Sequence, residues 1–364
     1  MPRLETIHIA DFRNIEEAAL TFSPNVNCIV GGNGEGKTNL LDAIFYLSMV
    51  KSFLGLQDRY NVRHGQASFA LCGQYALESG LKTRISLQAG GAEKVLRRDD
   101  KVYKRFSTHI GLLPIVTVSP SDSALVSESG EERRRFADIV LSQMDAEYLR
   151  ALSQYGRLLQ QRNRLLKAPG TDSALLDVLD AQMDREAQVI YQARANFSTQ
   201  LMPVVADYYS RLSGGKEEVS IRYRSELEHA SLEELLLRGR ERDFRMGFTG
   251  SGIQRDDFAF EMSGSPIRRC GSQGQQKTFL VALKFAQYEL MKRQSGVPPT
   301  LLLDDVFDKL DLSRTTHLIE MVAQEDFGQI FITDCSADRL RPLVDGATAD
   351  RAYFRTQGGC FEKI

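Results

Sequence analysis

The sequence predicts an α/β protein of two domains: a mixed-sheet domain with a phosphate-binding loop, made from both ends of the chain, and an inserted, mainly helical arm domain. An apolar run at residues 26–30 leads through a glycine-rich loop into an apolar-faced segment over residues 39–50. Strand signals precede and follow a central region in which apolar residues recur at helical spacing. We therefore predict one discontinuous domain of residues 1–120 and 243–364, with residues 121–242 as the helical arm or lid.

Composition bounds the class of protein. The net charge of −2 gives no global sign of nucleic-acid binding, so any DNA contact must come from a local basic face. The five cysteines are scattered without C-x-x-C spacing, which favours a reduced cytoplasm. No window approaches about 18 apolar residues, and the N-terminus lacks the pattern of a secretory signal. We expect a cytoplasmic protein without a membrane partner.

The first elements along the chain are strands. Strand-forming runs are separated by Gly and Asp turns, which is typical of an antiparallel set. A further short apolar run ends at Ser119-Pro120. The predicted strands lie at residues 4–9, 18–22, 69–77, 81–88, 94–103 and 115–118.

The glycine-rich loop carries the strongest motif. Residues 31–38, Gly-Gly-Asn-Gly-Glu-Gly-Lys-Thr, fit the pattern G-x-x-x-x-G-K-[ST], and we call them the phosphate loop. Glycines let the backbone turn with positive φ, so that successive N–H groups point at phosphate oxygens. Lys37 would reach the β- and γ-phosphates, and the Thr38 hydroxyl would bind Mg²⁺. The alternative is a plain strand-to-helix turn, but the flanking strand and helix favour nucleotide binding.

Two long helices are predicted in the insertion. Apolar residues at helical spacing run from about residue 132 to residue 167, before Pro169-Gly170 breaks the helix. The second helix runs from Ser173 to about residue 212, and Pro203 should kink or divide it. Joined by a short turn, the two form an antiparallel hairpin, which is either an arm or an ordinary helical subdomain. Two shorter elements follow, a strand at residues 219–224 and a helix at residues 231–240.

A polar segment precedes the next apolar-faced helix. Ser272 and Gln275 have the S-x-x-Q spacing of a capping box, which by itself explains these residues. The functional alternative is that Ser272 and Gly274, at a helix N-terminus, form an outward-facing anion site. Such a site would close on the γ-phosphate held by another subunit.

A third motif is a short apolar run, residues 300–303, that ends in two carboxylates. This pattern fits a buried parallel strand whose carboxyl end meets a ligand crevice. Asp304 is placed to hold Mg²⁺, and Asp305 to orient or deprotonate an attacking water. The alternative is a strand followed by a charged turn. The next strand, residues 329–332, also ends in a polar pair, Thr333-Asp334.

These three motifs, in this order, resemble the head of ABC-type ATPases, and a helical insertion in the same chain is a feature of SMC-like proteins. More closely, the chain resembles the RecF family of bacterial DNA replication and repair proteins. The likeness is specific because its landmarks span nearly the full length. They lie at residues 9–14, 31–39, 119–122, 133–138, 161–163, 254–257, 272–277 and 301–311.

The resemblance implies a function. Members of the RecF family bind ATP, dimerise head to head in its presence, and associate with double-stranded DNA and with junctions that border single-stranded gaps. With RecR and RecO they help to load RecA. Their slow, DNA-stimulated ATPase acts as a timer for release. The implied cofactors are ATP and Mg²⁺.

The resemblance also implies roles for individual residues. Lys37, Asp304 and Asp305 would be catalytic, and Thr38 and Asp304 would hold the metal. The implied nucleotide-binding residues are Arg13, Asn14, Gly31, Asn33, Gly34, Glu35, Gly36, Lys37, Thr38, Asn39, Ser272, Gly274 and Gln275.

Two departures from the family patterns stand out. ABC-type ATPases usually have Glu at the position of Asp305, and the shorter side chain suits slow hydrolysis. Gln254 stands where the RecF family commonly has His. A different class, an ABC subunit that energises a membrane transporter, is disfavoured because the signature Leu-Ser-Gly-Gly-Gln is not present at residues 271–275. A kinase or nuclease with a small substrate is the third alternative.

Overall fold

The computed structural model describes residues 2–77, 80–91, 93–128, 130–170, 172–215, 217–306, 319 and 327–364. The chain divides into two compact units, one formed by Met1–Asp122 with Met291–Ile364 and the other by Ser123–Leu290. The predicted α/β fold class is confirmed, since each unit combines helices with a sheet. Among the described residues, no helix is long and apolar enough to cross a membrane.

The described residues of the first unit form two six-stranded sheets. One has the order β2-β1-β4-β5-β6-β7 and is antiparallel, and the other has the order β15-β14-β3-β13-β12-β8. Its elements are β1 (Arg3–Phe12), β2 (Ile15–Thr21), β3 (Val26–Val30), α1 (Lys37–Met49), β4 (Phe69–Ala76), β5 (Lys82–Gly90), β6 (Glu93–Arg98), β7 (Lys101–Val102), β8 (Ile115–Val118), β12 (Thr300–Leu303), β13 (Ile330–Asp334), α9 (Ala337–Ala347), β14 (Arg351–Gln357) and β15 (Cys360–Lys363).

The second sheet positions the candidate site. Strands β14, β3, β13, β12 and β8 run parallel, so their carboxyl ends meet at one edge. All five residues of β3 are buried, as are Leu301, Leu302 and Leu303 of β12. Continuous apolar runs suit strands that are covered on both faces, and each fully buried Leu contributes about 1.5–3 kcal/mol. The core of this unit therefore fixes where each strand ends.

The second unit is mainly helical and holds one three-stranded antiparallel sheet, β11-β10-β9. Its elements are α2 (Ala124–Ser127), α3 (Gly130–Met144), α4 (Ala146–Leu165), α5 (Ser173–Ser213), β9 (Val219–Arg224), α6 (Leu232–Met246), β10 (Asp257–Met262), β11 (Ser265–Pro266), α7 (Ile267–Cys270) and most of α8 (Gln273–Ser295), whose last turn belongs to the first unit.

The structure corrects one helix prediction and excludes one of the two outcomes, a kink or a division, that we predicted at Pro203. The helix predicted over residues 132–167 is two helices, because Asp145 adopts an extended backbone and its carboxylate accepts hydrogen bonds from the N–H groups of Glu147 (2.7 Å) and Tyr148 (3.2 Å). This N-cap starts α4. The division at Pro203 does not occur, since α5 is continuous through it. Burial of the nearby apolar side chains offsets the roughly 3 kcal/mol that an internal proline costs.

The structure also shows how the long helix of the predicted hairpin is packed. The apolar side of α5 is buried along its length, at Leu176, Ile190 and Tyr209, so its partners lie within the second unit itself.

The boundary between the compact units falls after residue 290, whereas we predicted a domain boundary after residue 242. The reason is that β10 pairs with β9 over their full lengths, which joins the residues on both sides of the predicted boundary.

A buried ion-pair network joins three helices of the second unit. The Arg162 guanidinium, on α4, donates to Asp180 of α5 (Nε–Oδ1, 2.6 Å) and to Asp243 of α6 (Nη1–Oδ2, 2.7 Å). Arg162 is 0% exposed and each aspartate is 1% exposed. Arg240 adds a second cation to Asp180 at 2.9 Å. The helices are thus held together by an arginine and two aspartates that are almost fully buried, with the partly exposed Arg240 beside them.

We expect Arg162→Ala to lower the free energy of unfolding of the second unit by about 3–5 kcal/mol, because it leaves the buried Asp243 without its cation and Asp180 with Arg240 alone. Urea unfolding followed by circular dichroism measures the change. The matched control is Arg164→Ala, an exposed arginine on the same helix, which should change stability by less than about 0.5 kcal/mol. Equal effects of the two substitutions would contradict the role of the network.

Candidate nucleotide-binding site

The phosphate loop connects β3 to α1, and its conformation requires glycine. Gly34 and Gly36 have φ values of 82° and 106°, in the region that residues with a side chain rarely adopt. A Cβ atom on Gly31 would lie 2.5 Å from the carbonyl oxygen of Thr356, so a larger residue does not fit there. The loop is therefore shaped by its glycines and packed closely against β14.

Lys37 lies at the start of α1 and turns back over the loop. Its Nζ donates hydrogen bonds to the carbonyl oxygens of Gly31 (2.9 Å) and Gly32 (3.1 Å) and lies 3.9 Å from Oδ1 of Asp305. The side chain is 4% exposed. A positive charge is thus held at the loop by groups that a polyphosphate could replace.

Thr38 and Asp304 bring two oxygen-bearing groups together. The Thr38 hydroxyl lies 3.0 Å from both carboxylate oxygens of Asp304, which follows β12. Burial raises the pKa of Asp304 to about 6, and the hydroxyl groups of Thr333 and Thr38 oppose that shift. A hydroxyl and a carboxylate are hard oxygen donors of the kind that Mg²⁺ takes together with phosphate and water oxygens. The residues present therefore fit a magnesium ion.

Asp305 is held in an unusual backbone conformation beside Asp304. Its φ is 46°, which costs of order 1–3 kcal/mol for a residue other than glycine. Its backbone N–H donates to the Thr333 hydroxyl (2.9 Å), and this hydroxyl donates to Oδ1 of Asp304 (2.9 Å). Thr333, at the end of β13, thus fixes the positions of both aspartates. The sequence indicated a polar pair at this crevice but not this role.

Asp334 and Cys335, at the end of β13, contact different parts of the first unit. Asp334 accepts hydrogen bonds from the backbone N–H of Ser336 (2.8 Å) and from Nε of Arg339 (3.0 Å), so its carboxylate belongs to the start of α9. The sulfur of Cys335 lies 3.7 Å from Nζ of Lys37 and 3.0 Å from Oδ1 of Asn33. Cys335 was not predicted to lie at this site, because the cysteines were assessed only by their spacing in the sequence.

Arg13, one of the predicted nucleotide contacts, is committed to the protein. Its guanidinium donates to Oδ1 of Asn39 (3.0 Å), to Oγ of Ser52 (3.0 Å) and to Oδ1 of Asn61 (2.9 and 3.1 Å), and it pairs with the buried carboxylate of Asp42. Burial lowers the pKa of Arg13 and raises that of Asp42. These contacts favour a positioning role at the start of α1 over a direct contact with nucleotide.

Asn14 braces the phosphate loop from one side. Its amide nitrogen donates to the carbonyl oxygen of Gly34 (3.3 Å), and its Oδ1 accepts from Nδ2 of Asn39 (2.7 Å). A Cβ atom on Gly36 would lie 3.0 Å from this side chain. Arg13, Asn39 and Asn14 therefore form one chain of hydrogen bonds that ends at the loop.

The hairpin of β14 and β15 braces the loop from the other side. The carbonyl oxygen of Glu35 accepts hydrogen bonds from the Thr356 hydroxyl (2.8 Å) and from the N–H of Gly359 (3.0 Å). The Glu35 carboxylate accepts a further bond from the N–H of Gly358. Glu35, which we predicted to contact nucleotide, thus ties the loop to the hairpin. Asn33, also predicted to contact nucleotide, contacts Cys335.

The predicted capping box of the second unit is confirmed. Oγ of Ser272 accepts from the N–H of Gln275 (3.3 Å), and Oε1 of Gln275 accepts from the N–H of Ser272 (2.7 Å). Nε2 of Gln275 donates to Glu217 (2.8 Å), which also accepts from the hydroxyl of Tyr209 (3.3 Å). Ser272 and Gly274 are exposed, so the capped end of α8 is open to a ligand. The contact with Glu217 had no signal in the sequence.

The landmark at residues 254–257 contacts other residues of the second unit. Oε1 of Gln254 accepts a hydrogen bond from the Tyr155 hydroxyl at 2.5 Å. The buried Asp256 lies 3.4 Å from Nη1 of Arg194 and also accepts from Tyr223. Glutamine thus has a defined packing position here. Residues 307–311, the end of the last landmark, lie outside the described residues.

Comparison with known proteins identifies relatives over the whole length. A family model for the RecF/RecN/SMC N terminal domain matches residues 3–72. The DNA replication and repair protein RecF of Porphyromonas gingivalis strain W83 is 45% identical over 359 residues, 98% of each chain. The protein of the same name from Bacteroides thetaiotaomicron is 42% identical over 363 residues, 99% of this chain and 98% of that one.

Solved structures agree with the sequence relatives. The structure of the recombination mediator protein RecF-ATP in the RecFOR pathway has a TM-score of 0.90 at 28% identity and covers 100% of this chain and 98% of its own. An Smc head domain from Pyrococcus furiosus has a TM-score of 0.56 at 13% identity, covers 100% of this chain and 96% of its own, and so shares the fold alone. The predicted ABC-type ATPase head fold is confirmed.

The brace around the phosphate loop makes a prediction for Asn14. We expect Asn14→Ala to weaken ATP binding by roughly tenfold, because it removes the hydrogen bond to Gly34 and leaves Asn39 without a partner for its amide. Titration with a fluorescent ATP analogue measures the affinity.

The control for this substitution removes an amide of the same kind away from the loop. Asn25 donates to Thr348 at 3.2 Å, and Asn25→Ala should leave ATP affinity unchanged. Wild-type affinity in Asn14→Ala would show that the loop keeps its shape without this contact.

Proposed function

The chain belongs to the RecF family of DNA replication and repair proteins, and from this membership we propose that it is an ATP-dependent DNA-binding protein in which ATP joins two copies of the chain. One observation carries the proposal. Lys37, Thr38, Asp304 and Asp305 converge at the carboxyl edge of one parallel sheet, although the two pairs are far apart in the sequence. The names of the relatives supply the link to DNA, and the related structure with ATP supplies the link to ATP.

The nucleotide would bind with its phosphates in the phosphate loop. Lys37 would exchange its hydrogen bonds with the loop carbonyls for bonds to the β- and γ-phosphates, which the buried position of its side chain beside the loop supports. The helix α1 adds its positive N-terminal end to the same anion. Thr38 and Asp304 would hold Mg²⁺, which supplies charge neutralisation for the phosphate oxygens when it is bound.

Asp305 is the candidate for orienting or deprotonating the attacking water. Its carboxylate lies beside Lys37, and its backbone is held by the Thr333 hydroxyl. The strained backbone at Asp305 supports a role that depends on where the side chain points. The shorter reach of Asp than of Glu agrees with slow hydrolysis, so that ATP lasts long enough to act as a timer for release.

The second subunit would complete the site. Ser272, Gly274 and Gln275 lie at the open, capped end of α8, a position suited to a phosphate group. ATP bound to the phosphate loop of one subunit would be closed by this segment of the other. ATP then stabilises the dimer only because it binds the dimer more tightly than the monomer, and hydrolysis removes the bridging phosphate.

DNA and the recombination proteins are the proposed partners. We propose that the dimer binds duplex DNA and junctions with single-stranded gaps, mostly through phosphate contacts. There it would act with RecR and RecO to load RecA. This part of the proposal rests on family membership.

Substitutions at Lys37 and Asp305 separate binding from hydrolysis. Lys37→Met should abolish ATP binding, because the phosphate charge loses its cation. Asp305→Asn should keep ATP affinity within about twofold and lower the hydrolysis rate by about 10²-fold or more. Asn tolerates the positive φ at this position, so the fold should persist. Release of inorganic phosphate measures the rate.

The matched control is Asp350→Asn, an exposed aspartate of the same unit, which should hydrolyse ATP at the wild-type rate. A wild-type rate in Asp305→Asn would remove Asp305 from the chemistry.

Mixing two inactive variants tests the shared site. Lys37→Met and Ser272→Arg should each be inactive alone. A mixed dimer, however, has one complete site. In this site the Ser272→Arg subunit provides the phosphate loop, and the Lys37→Met subunit provides the intact Ser272 segment. With random pairing the mixture should regain up to about a quarter of the wild-type ATPase rate. No recovery on mixing, with both variants folded, would contradict a site shared between subunits.

A further inference from the structure

The sheet of the second unit carries a group of arginines around a surface pocket. The pocket has a volume of about 260 Å³ and lies beside β10, β11 and α7. We call it the arginine pocket. The charged residues that line it are Arg133, Arg224, Asp257, Glu261, Arg268 and Arg269.

Two of these arginines are neutralised by carboxylates. Arg133 forms a two-bond ion pair with Asp257, with Nε–Oδ1 at 2.8 Å and Nη2–Oδ2 at 3.0 Å. Arg224 donates to Glu261 at 2.8 Å, and Arg222 approaches the same carboxylate at 3.5 Å. One carboxylate therefore serves both arginines of β9.

Arg268 and Arg269 are different. Both are exposed, on α7, and neither forms an ion pair with any residue that the structure describes. Arg222 and Arg224 are also largely open to solvent, at 69% and 58% of the side chain. Among the described residues that line the pocket, four arginines (133, 224, 268 and 269) thus stand against two carboxylates (257 and 261), and Arg222 beside them shares Glu261. This leaves a local positive surplus on a chain of net charge −2.

The chemistry of this surface fits phosphate. A guanidinium offers a planar fork that matches two phosphate oxygens, and exposed arginines without a carboxylate are available for it. Arg222 and Arg224 are alternate residues of one strand and point to the same face, so the positive groups extend along the sheet beyond the pocket. An extended row of this kind suits a polymer of phosphates better than a single small anion.

We propose that the arginine pocket contacts the backbone phosphates of duplex DNA and that Arg268 and Arg269 make these contacts. The proposal deepens the proposed function and rests on its DNA binding. It places the DNA contact on the segment that runs directly into Ser272, three residues after Arg269. The alternative ligand for such a surface is an acidic protein segment. In that case the pocket would bind protein, and DNA would bind elsewhere.

The test is a salt titration of DNA binding by the double variant Arg268→Ala/Arg269→Ala. Anisotropy of a fluorescein-labelled duplex, with ATP present, gives the affinity at each salt concentration. Loss of two phosphate contacts should reduce the slope of log K against log [salt] by about two and weaken binding by roughly tenfold at low salt. ATP affinity, measured in parallel, should remain at the wild-type value because the phosphate loop is untouched.

The matched control is Arg238→Ala/Arg242→Ala, which removes the same charge from exposed positions of α6. It should keep the wild-type affinity and slope. Equal losses in the two double variants would reduce the effect to net charge and overturn the assignment of the site. Wild-type affinity and slope in Arg268→Ala/Arg269→Ala would overturn it too. If the wild-type protein itself bound no DNA, the proposed function would fail instead.

Discussion

The common carboxyl edge of one parallel sheet is the constraint on which the candidate site depends. Strands β3, β12 and β13 end there in register, so the phosphate loop, Asp304 and Thr333 are brought together by backbone pairing. The Thr333 hydroxyl then links the two aspartates, and the Thr38 hydroxyl bonds to Asp304. A cation and two anions are held close together because buried apolar strands fix where each chain segment ends.

Around this edge, polar contacts hold the loop without themselves offering groups to a ligand. The chain of hydrogen bonds from Arg13 through Asn39 to Asn14 supports one side, and the β14–β15 hairpin holds Glu35 on the other. A loop fixed in advance loses little conformational freedom when a ligand binds. In the second unit, buried arginine–carboxylate pairs hold neighbouring helices together, as at Arg162.

Local patterns in the sequence predicted much of this arrangement. The strand at residues 26–30, the loop that follows it and the capping box at Ser272 were predicted correctly, because each depends on neighbours within a few residues. The paired roles of Glu35 with Thr356, and of Gln275 with Glu217, were not predicted, since these partners lie far apart in the chain. The break at Asp145 was missed because the apolar spacing continues across it, and the continuity of α5 through Pro203 depends on tertiary packing.

Self-association is the most direct test of the central claim that ATP joins two copies of the chain. Sedimentation velocity of the wild-type protein would be compared without nucleotide, with ADP and with ATP. We expect a monomer in the first two conditions and a dimer with ATP alone, because only the γ-phosphate would reach both the loop and the second subunit. A monomer in all three conditions, in a protein that demonstrably binds ATP, would contradict ATP-driven dimerisation.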